Sequence, residues 1–175
     1  MRLFVAIDFP DEVKAELWYL AQYLKHQAQH ARIVPLENYH LTLLFIGETQ
    51  NITEAREVFY AAQIPAKLID LIFDGIGSFR QQRDYTWWVG VKATDELRGL
   101  AHELAAVYRA AGFSIEARLF KPHITLARKV DTKRPVELTA PSRVLRAKRL
   151  SLMRSTNEDN RTVYTEIESR ELQAL

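Results

Sequence analysis

A tetrapeptide of the form His-x-Thr-Leu occurs twice in this chain, and the repeat constrains the fold more than any other feature. The first copy begins at His40 and the second at His123. Each copy continues an apolar run, which is typical of a short strand. Side chains alternate between the two faces of a strand, so the His and Thr of each copy share one face while the intervening residues face a core. Two such strands, set side by side by a repeated fold, would surround one cleft with two imidazoles and two hydroxyls.

The candidate site residues in these motifs are His40, Thr42, His123 and Thr125. Two imidazoles can serve as a general acid and a general base. Two hydroxyls can donate hydrogen bonds to a phosphoryl group. The alternative is that the histidines are buried strand residues with satisfied hydrogen bonds, and that the threonines reflect β-propensity alone. The duplication favours the functional interpretation.

Composition limits the class of protein. A length of 175 residues suits one domain, which we predict to cover residues 1–175. The absence of cysteine excludes disulfides, thiolate metal sites and thiol catalysis. It also fits a reducing cytosol, and because the N-terminus does not resemble a signal peptide, we expect a cytoplasmic protein. No apolar run approaches the ~18 residues of a membrane span. The formal charge of +2 means that any nucleic-acid contact must come from a local patch.

The hydrophobic pattern predicts an α+β fold with antiparallel sheets. Helices are expected from just after Pro10 to about His30, from about Asn51, and from about Thr94 to Ala110. The predicted strands cover residues 2–8, 32–35, 40–46, 67–74, 85–92, 123–127, 144–153 and 161–168. Residues 32–35 and 40–46 are expected to pair, as are 144–153 and 161–168, whereas 75–84 is expected to be a loop and 128–134 a basic connection. A strand–helix–strand unit occurs twice, at 2–46 and 85–127, which predicts two lobes related by a pseudo-two-fold axis.

Several cations have two interpretations. Arg128 follows His123 by five residues and is predicted to contact a phosphate, the alternative being a solvated cation at a strand end. Arg80 and Arg83 belong either to a solvated loop or to a surface that contacts a nucleic-acid backbone. Most of the basic run formed by Arg143, Arg146, Lys148 and Arg149 is expected at a solvent edge of a sheet.

Aromatic and further histidine side chains are also ambiguous. Phe9 and Tyr39 are candidates for stacking on a base. Trp87 and Trp88 alternate in face, so one is expected in the core. A histidine pair four residues apart, His26 and His30, has the spacing of a metal site on a helix but is more typical of a solvated face.

The paired motifs resemble those of the 2H phosphoesterases, and among these the bacterial RNA 2′,3′-cyclic phosphodiesterases, also called 2′-5′ RNA ligases. The stretches that carry the resemblance are residues 2–7, 38–43, 45–48, 121–128, 152–155 and Tyr164. The closing turn, residues 157–161, lacks the glycine expected from the family, although Asn and Asp tolerate the same turn conformations. The resemblance implies two lobes whose antiparallel sheets line a central cleft, with helices outside and the active site in the groove.

The resemblance also implies a reaction. Terminal 2′,3′-cyclic phosphates of RNA would be opened to 2′-phosphomonoesters without a metal or other cofactor, with His40 as proton donor and His123 as proton acceptor. Thr42, Thr125 and Arg128 would hold the nonbridging oxygens. In reverse, the same site would join RNA ends through a 2′-5′ linkage. The expected partners are RNA ends, such as tRNA fragments or other oligonucleotides, bound by a monomer. The alternatives are a cyclic phosphate of a nucleotide or ADP-ribose as substrate, and a non-catalytic RNA-binding module.

Overall fold

The computed structural model describes residues 1–64, 68–117, 119–132, 135–159 and 161–172. Within these ranges the strands are β1 (Arg2–Asp8), β2 (His30–Ile33), β3 (His40–Glu48), β4 (Ile69–Gln81), β5 (Asp84–Val91), β6 (His123–Asp131), β7 (Val144–Ala147), β8 (Arg149–Glu158) and β9 (Arg161–Glu171). The helices there are α1 (Asp11–Gln27), α2 (Ile52–Ala61) and α3 (Asp95–Ala110). None of the described helices is both long and apolar enough to cross a membrane.

The strands form two antiparallel sheets, which confirms the predicted fold class. The first sheet has the order β3-β1-β8-β9 and the second the order β2-β6-β5-β4-β7. The repeated unit is visible in both, because β1-α1-β3 and β5-α3-β6 each place the motif strand antiparallel to the strand that precedes the helix. The two motif strands therefore occupy equivalent places in the two sheets.

Helices α1 and α3 each pack against a different sheet from the one that contains the preceding strand. Helix α1 follows β1 of the first sheet but packs against β2 and β6 of the second. Helix α3 follows β5 of the second sheet but packs against β3 of the first. The buried stripe of α3 consists of Leu97, Leu100, Ala101, Leu104 and Tyr108. The Tyr108 hydroxyl donates a 2.8 Å hydrogen bond to the carbonyl of Ala55 and so joins α3 to α2.

A single hydrophobic cluster contains side chains from both sheets. It includes Leu3, Val5 and Ile7 of β1 together with Ile124 and Leu126 of β6. Alternation explains this, because these residues point away from the face that carries the motif histidines. A hydrophobic cluster shared by both sheets is expected of a single domain. The predicted extent of that domain, residues 1–175, stays a prediction because residues 173–175 lie outside the described ranges.

Strands β4 and β6 extend well beyond their predicted ends. Strand β4 continues to Gln81 and β5 begins at Asp84, so the predicted loop at 75–84 is a hairpin that turns at Gln82 and Arg83. Gly75, which indicated a loop, has φ +70° beside an irregularity in the β4–β5 register. Strand β6 runs to Asp131 through most of the predicted basic connection. Residues 133–134 of that connection and residue 67 of a predicted strand lie outside the described residues.

One predicted pairing is wrong, and one predicted strand is divided in two. Strand β2 pairs with β6, and β3 pairs with β1, because Pro35 and the 3-10 turn Leu36–Asn38 carry the chain from one sheet to the other. The predicted strand 144–153 is divided at Lys148 into β7, which pairs with β4, and β8, which pairs with β9 as expected. Asp159 in the closing turn has φ +48°, which Asp tolerates, and residue 160 lies outside the described ranges.

Candidate active site

The two motif histidines begin the two motif strands. His40 is the first residue of β3 and His123 the first residue of β6. These strands contact each other although they belong to different sheets. Their burial is the same over the first six positions: the His and Thr are partly exposed, the residues between and after them are buried, and the sixth residue is exposed. Thr42 and Thr125 thus lie on the faces of their histidines.

Each histidine is fixed in one tautomer by the backbone. His40 Nδ1 lies 2.7 Å from the carbonyl oxygen of Asn38, and His123 Nδ1 lies 2.7 Å from that of Lys121. A carbonyl oxygen only accepts hydrogen bonds, so both Nδ1 atoms must carry a proton. The Nε2 atom of each ring is therefore the one that can take up or release a proton. This is the arrangement that an acid–base pair needs.

The first motif has an internal hydrogen bond. The Nε2 atom of His40 lies 2.8 Å from the Oγ1 atom of Thr42. Because Nδ1 holds the proton of the neutral ring, the Thr42 hydroxyl donates to Nε2. In the described part of the chain, no corresponding bond joins His123 to Thr125. The two halves of the site are thus similar but not identical.

Aromatic rings enclose His40. The ring centroids of Phe4 and Tyr164 lie 5.0 Å and 5.1 Å from that of His40. The Tyr164 ring is nearly perpendicular to the imidazole, at 87°. Burial disfavours the charged imidazolium and lowers the pKa of His40 to about 4.

His123 has matching surroundings in the other lobe. The Phe79 ring lies 5.0 Å away at 86°, and the Trp88 ring lies 5.9 Å away. Lys121 extends over Trp88, with Nζ 4.7 Å from the ring centroid. Burial again lowers the pKa of the imidazole, and the nearby positive charges add to this effect. A Cβ atom at Gly77 would come within 2.1 Å of the Trp88 ring, so glycine is required where this ring crosses β4.

A carboxylate distinguishes the two histidines. Asp8 of β1 lies directly opposite His40, whereas Gly90 of β5 lies directly opposite His123. Burial is the main influence on His40, but the negative charge of Asp8 acts in the opposite direction and raises its pKa. Asp8 is also held by Lys14 in a 2.7 Å ion pair. The sequence did not single out Asp8. Because β1 pairs antiparallel with β3, the last residue of β1 lies opposite the first residue of β3, which is His40.

Arg128 reaches the site face through a β-bulge. Five residues separate it from His123, so strict alternation would place the two on opposite faces. The register of β6 against β5 shifts after Thr125, and Leu126 is the extra residue. The shift returns Arg128 to the face of His123, where it is exposed. Burial is the chief cause of the lowered pKa of both histidines, and the positive charge of Arg128 contributes in each case, which indicates that it lies near both.

A cavity of about 270 Å³ opens beside His40. Its walls come from β1, β8, β9 and the segment before β3, and include Asp8, Glu37, Arg149, Tyr164 and Glu166. Glu166 accepts a 2.6 Å hydrogen bond from Ser151 and pairs with Arg149 at 3.2 Å. The cavity is a polar recess next to the first motif. No local sequence pattern indicated it, because its residues converge only through the order of the strands.

The structure also bears on the predictions for the aromatic residues and for the second histidine pair. Phe9 and Tyr39 are 4% and 1% exposed, so the prediction that they stack on a base is wrong. Of the two tryptophans, Trp88 is buried, and Trp87 is partly exposed. His26 and His30 do not share a helix, because α1 ends at Gln27. Among the described residues, no group of three or more His, Asp or Glu side chains could hold a metal ion.

Most of the basic residues outside the motifs are exposed, as the sequence indicated. Arg80 is exposed near the tip of the β4–β5 hairpin, and Arg83 is exposed in its turn. Contact of these two with RNA stays a prediction. In the late basic run, Arg143 pairs with Glu16 at 2.7 Å and Arg146 with Asp70 at 3.3 Å. Arg149 instead lines the cavity beside His40.

The known proteins that are similar to this chain all point to one family. The 2′-5′ RNA ligase superfamily matches residues 9–171. A Thermotoga maritima protein named RNA 2′,3′-cyclic phosphodiesterase is 37% identical over 131 residues, which are 73% of this chain and 70% of the relative. An Escherichia coli protein of the same name is 31% identical over 143 residues, 80% of this chain and 77% of the relative.

Solved structures agree with these relatives. The structure of E. coli LigT complexed with 3′-AMP has a TM-score of 0.83 and 28% identity, covering 98% of this chain and 97% of that one. TT0787 of Thermus thermophilus has a TM-score of 0.80 and 26% identity, covering 99% of both chains. These likenesses confirm the fold that the motif pair predicted.

Proposed function

This chain belongs to the 2′-5′ RNA ligase superfamily, a family of enzymes, and we propose that it hydrolyses terminal 2′,3′-cyclic phosphates of RNA to 2′-phosphomonoesters. The observation that supports this most is the histidine pair. His40 and His123 begin equivalent strands, and each holds its Nδ1 proton against a backbone carbonyl, which leaves Nε2 for proton transfer. Relatives named RNA 2′,3′-cyclic phosphodiesterase support the choice of substrate.

The proposed reaction needs two proton transfers. The Nε2 atom of neutral His123 removes a proton from water as the oxygen attacks phosphorus. The bond between phosphorus and the ribose 3′-oxygen breaks in line with the attack, and protonated His40 gives its Nε2 proton to that oxygen. The products are a 2′-phosphomonoester and a 3′-hydroxyl. Because the cyclic phosphate carries its leaving group internally, positioning and proton transfer are the main requirements.

The charges around the two rings support this division of roles. Asp8 opposes His40 and favours the imidazolium that an acid must form. His123 lies opposite Gly90 and near Lys121, whose charge favours the neutral ring that a base must start from, whereas the charge of Arg128 acts on both rings. Burial keeps the pKa of His40 at about 4 in the free protein. The negative charge of a bound phosphodiester would raise this pKa, so we propose that His40 becomes protonated as substrate binds.

Phosphate binding is assigned to Thr42, Thr125 and Arg128. Their side chains share the face of the histidines, and the Thr42 hydroxyl already lies within hydrogen-bonding distance of His40 Nε2. We propose that they hold the nonbridging oxygens as charge builds on them, and that Arg128 supplies the positive charge without a metal ion. With a 5′-hydroxyl in place of water, the same steps in reverse would form a 2′-5′ linkage.

The test compares two substrates and identifies the product. An oligonucleotide with a 2′,3′-cyclic phosphate end and a 2′,3′-cyclic mononucleotide are supplied to wild type and to His40→Ala and His123→Ala, which control for contaminating nucleases. We expect a higher kcat/KM for the oligonucleotide and only 2′-phosphate by phosphorus NMR. A preference for the mononucleotide would favour a nucleotide substrate. A 3′-phosphate or a mixture would contradict the assigned roles, and binding without turnover would indicate an RNA-binding module.

A further inference from the structure

Phe45 occupies the position in the first motif strand that Arg128 occupies in the second. Both follow the motif histidine by five residues. In β3, as in β6, the register shifts after the motif threonine, and the extra residue is Leu43 or Leu126. The bulge reverses the alternation, so Phe45 lies opposite Phe4 and shares the face of His40. The fold therefore presents one aromatic and one cationic side chain at equivalent places beside the two histidines.

The Phe45 ring is exposed and rests on a buried ring. Phe45 is 61% exposed, whereas Phe4 beside it is 2% exposed. The Phe4 ring centroid lies 6.2 Å from that of Phe45 and 5.0 Å from that of His40. Phe4 is thus a neighbour of both the imidazole and the Phe45 ring. Isolated exposed apolar residues are common on proteins, but this one continues an aromatic row that begins at the proposed proton donor.

We propose that Phe45 stacks on a nucleobase of the bound RNA, and that this base belongs to a nucleotide next to the one that carries the cyclic phosphate. This rests on the proposed function, since it requires an RNA chain in the cleft. The base of a neighbouring nucleotide fits this place, because Phe45 lies five residues along β3 from His40, the ring proposed to protonate the leaving oxygen, and both rings are neighbours of Phe4. A phenyl ring has no hydrogen-bonding groups, so the contact tolerates every base.

The experiment measures KM for both substrates in Phe45 variants. Base–aromatic stacking is worth roughly 5- to 150-fold in binding when the ring is removed. Phe45→Ala should raise KM for the cyclic-ended oligonucleotide within that range, with kcat much less affected, and should raise KM for the cyclic mononucleotide by a clearly smaller factor. Phe45→Trp should keep the oligonucleotide KM near that of wild type. Phe45→Leu retains apolar bulk without a ring and should behave like Phe45→Ala.

Tyr19→Ala is the matched control. Tyr19 is 69% exposed on α1 and is remote from the motif strands in sequence, so its removal should leave both KM values unchanged. Equal increases for the two substrates in Phe45→Ala would overturn the assignment to a neighbouring nucleotide. A Phe45→Ala oligonucleotide KM equal to that of wild type, or a Phe45→Leu variant equal to wild type, would overturn stacking. Absence of wild-type turnover on cyclic-ended RNA would instead refute the proposed function itself.

Discussion

The low pKa of His40 predicts a measurable loss of stability in acid. Burial lowers this pKa from its ordinary value of 6.5 to about 4. The difference corresponds to about 3 kcal/mol that opposes protonation of the imidazole in the folded protein. In the unfolded chain the same ring takes up its proton near pH 6.5 without this penalty. The two states therefore bind different numbers of protons between about pH 6.5 and pH 4.

The sign of the effect follows from that difference. In this window the unfolded state binds more protons, so the free energy of unfolding decreases as the pH falls. Above pH 6.5 the ring is neutral in both states and contributes nothing. By about pH 4 His40 should have removed about 3 kcal/mol of stability relative to pH 7. The lowered pKa of His123 should add to the loss in the same direction.

A matched variant isolates the contribution of His40. His40→Gln lacks the titrating group but keeps the His123 contribution and all other titrating groups. Urea unfolding of both proteins at pH 7 and pH 4 should show that wild type loses about 3 kcal/mol more than the variant. NMR titration of the imidazole signals gives the pKa directly. Equal losses in the two proteins, or a measured His40 pKa of 6 or above in the free protein, would refute the reasoning from burial.

Three further predictions concern catalysis. His40→Ala and His123→Ala should each lower kcat ~10²–10⁴-fold. The double variant should be little slower than the slower single variant, because the pair works as a unit. Near-wild-type activity in a folded single variant would exclude the two-histidine mechanism. The plot of kcat/KM against pH should be bell-shaped with both limbs below pH 6.5, because both pKa values are lowered, and a flat profile with chemistry rate-limiting would count against it. Activity should survive exhaustive EDTA treatment, whereas loss with EDTA and recovery with a divalent ion would show that a metal takes part.

Local patterns were enough to find the motif strands and their shared face. His40 and Thr42 are two residues apart, so a single strand brings them together without any help from the rest of the fold. The α+β class and the duplicated unit followed from periodicity in the same way. Strand pairing did not, because the partner of β2 depends on where the chain crosses between sheets. The 3-10 turn Leu36–Asn38 makes that crossing, and three residues carry too weak a signal to predict it.

The surroundings of the site were predicted less well for a related reason. Asp8 and Tyr164 reach His40 from strands that are distant in sequence, and their contacts depend on register. Strict alternation also fails in both motif strands, because one extra residue follows each threonine. Alternation alone would have put Arg128 on the wrong face. Its assignment rested on its charge and its place at the end of the motif strand, and the bulge provides the physical reason that it lies on the face of His123.

The departures from pseudo-symmetry bear on which bond breaks. A symmetric pair of histidines could open a cyclic phosphate in either direction. Here the first lobe has a carboxylate, Asp8, and an exposed ring, Phe45, where the second has Gly90 and Arg128. In the proposed complex a phosphate would be drawn to Arg128 and a base to Phe45, so an RNA end would have one favourable orientation across the cleft. Under the proposed function, Asp8 favours the imidazolium of His40 in the lobe that would receive the base, and this would couple the orientation of the RNA to the choice of leaving oxygen.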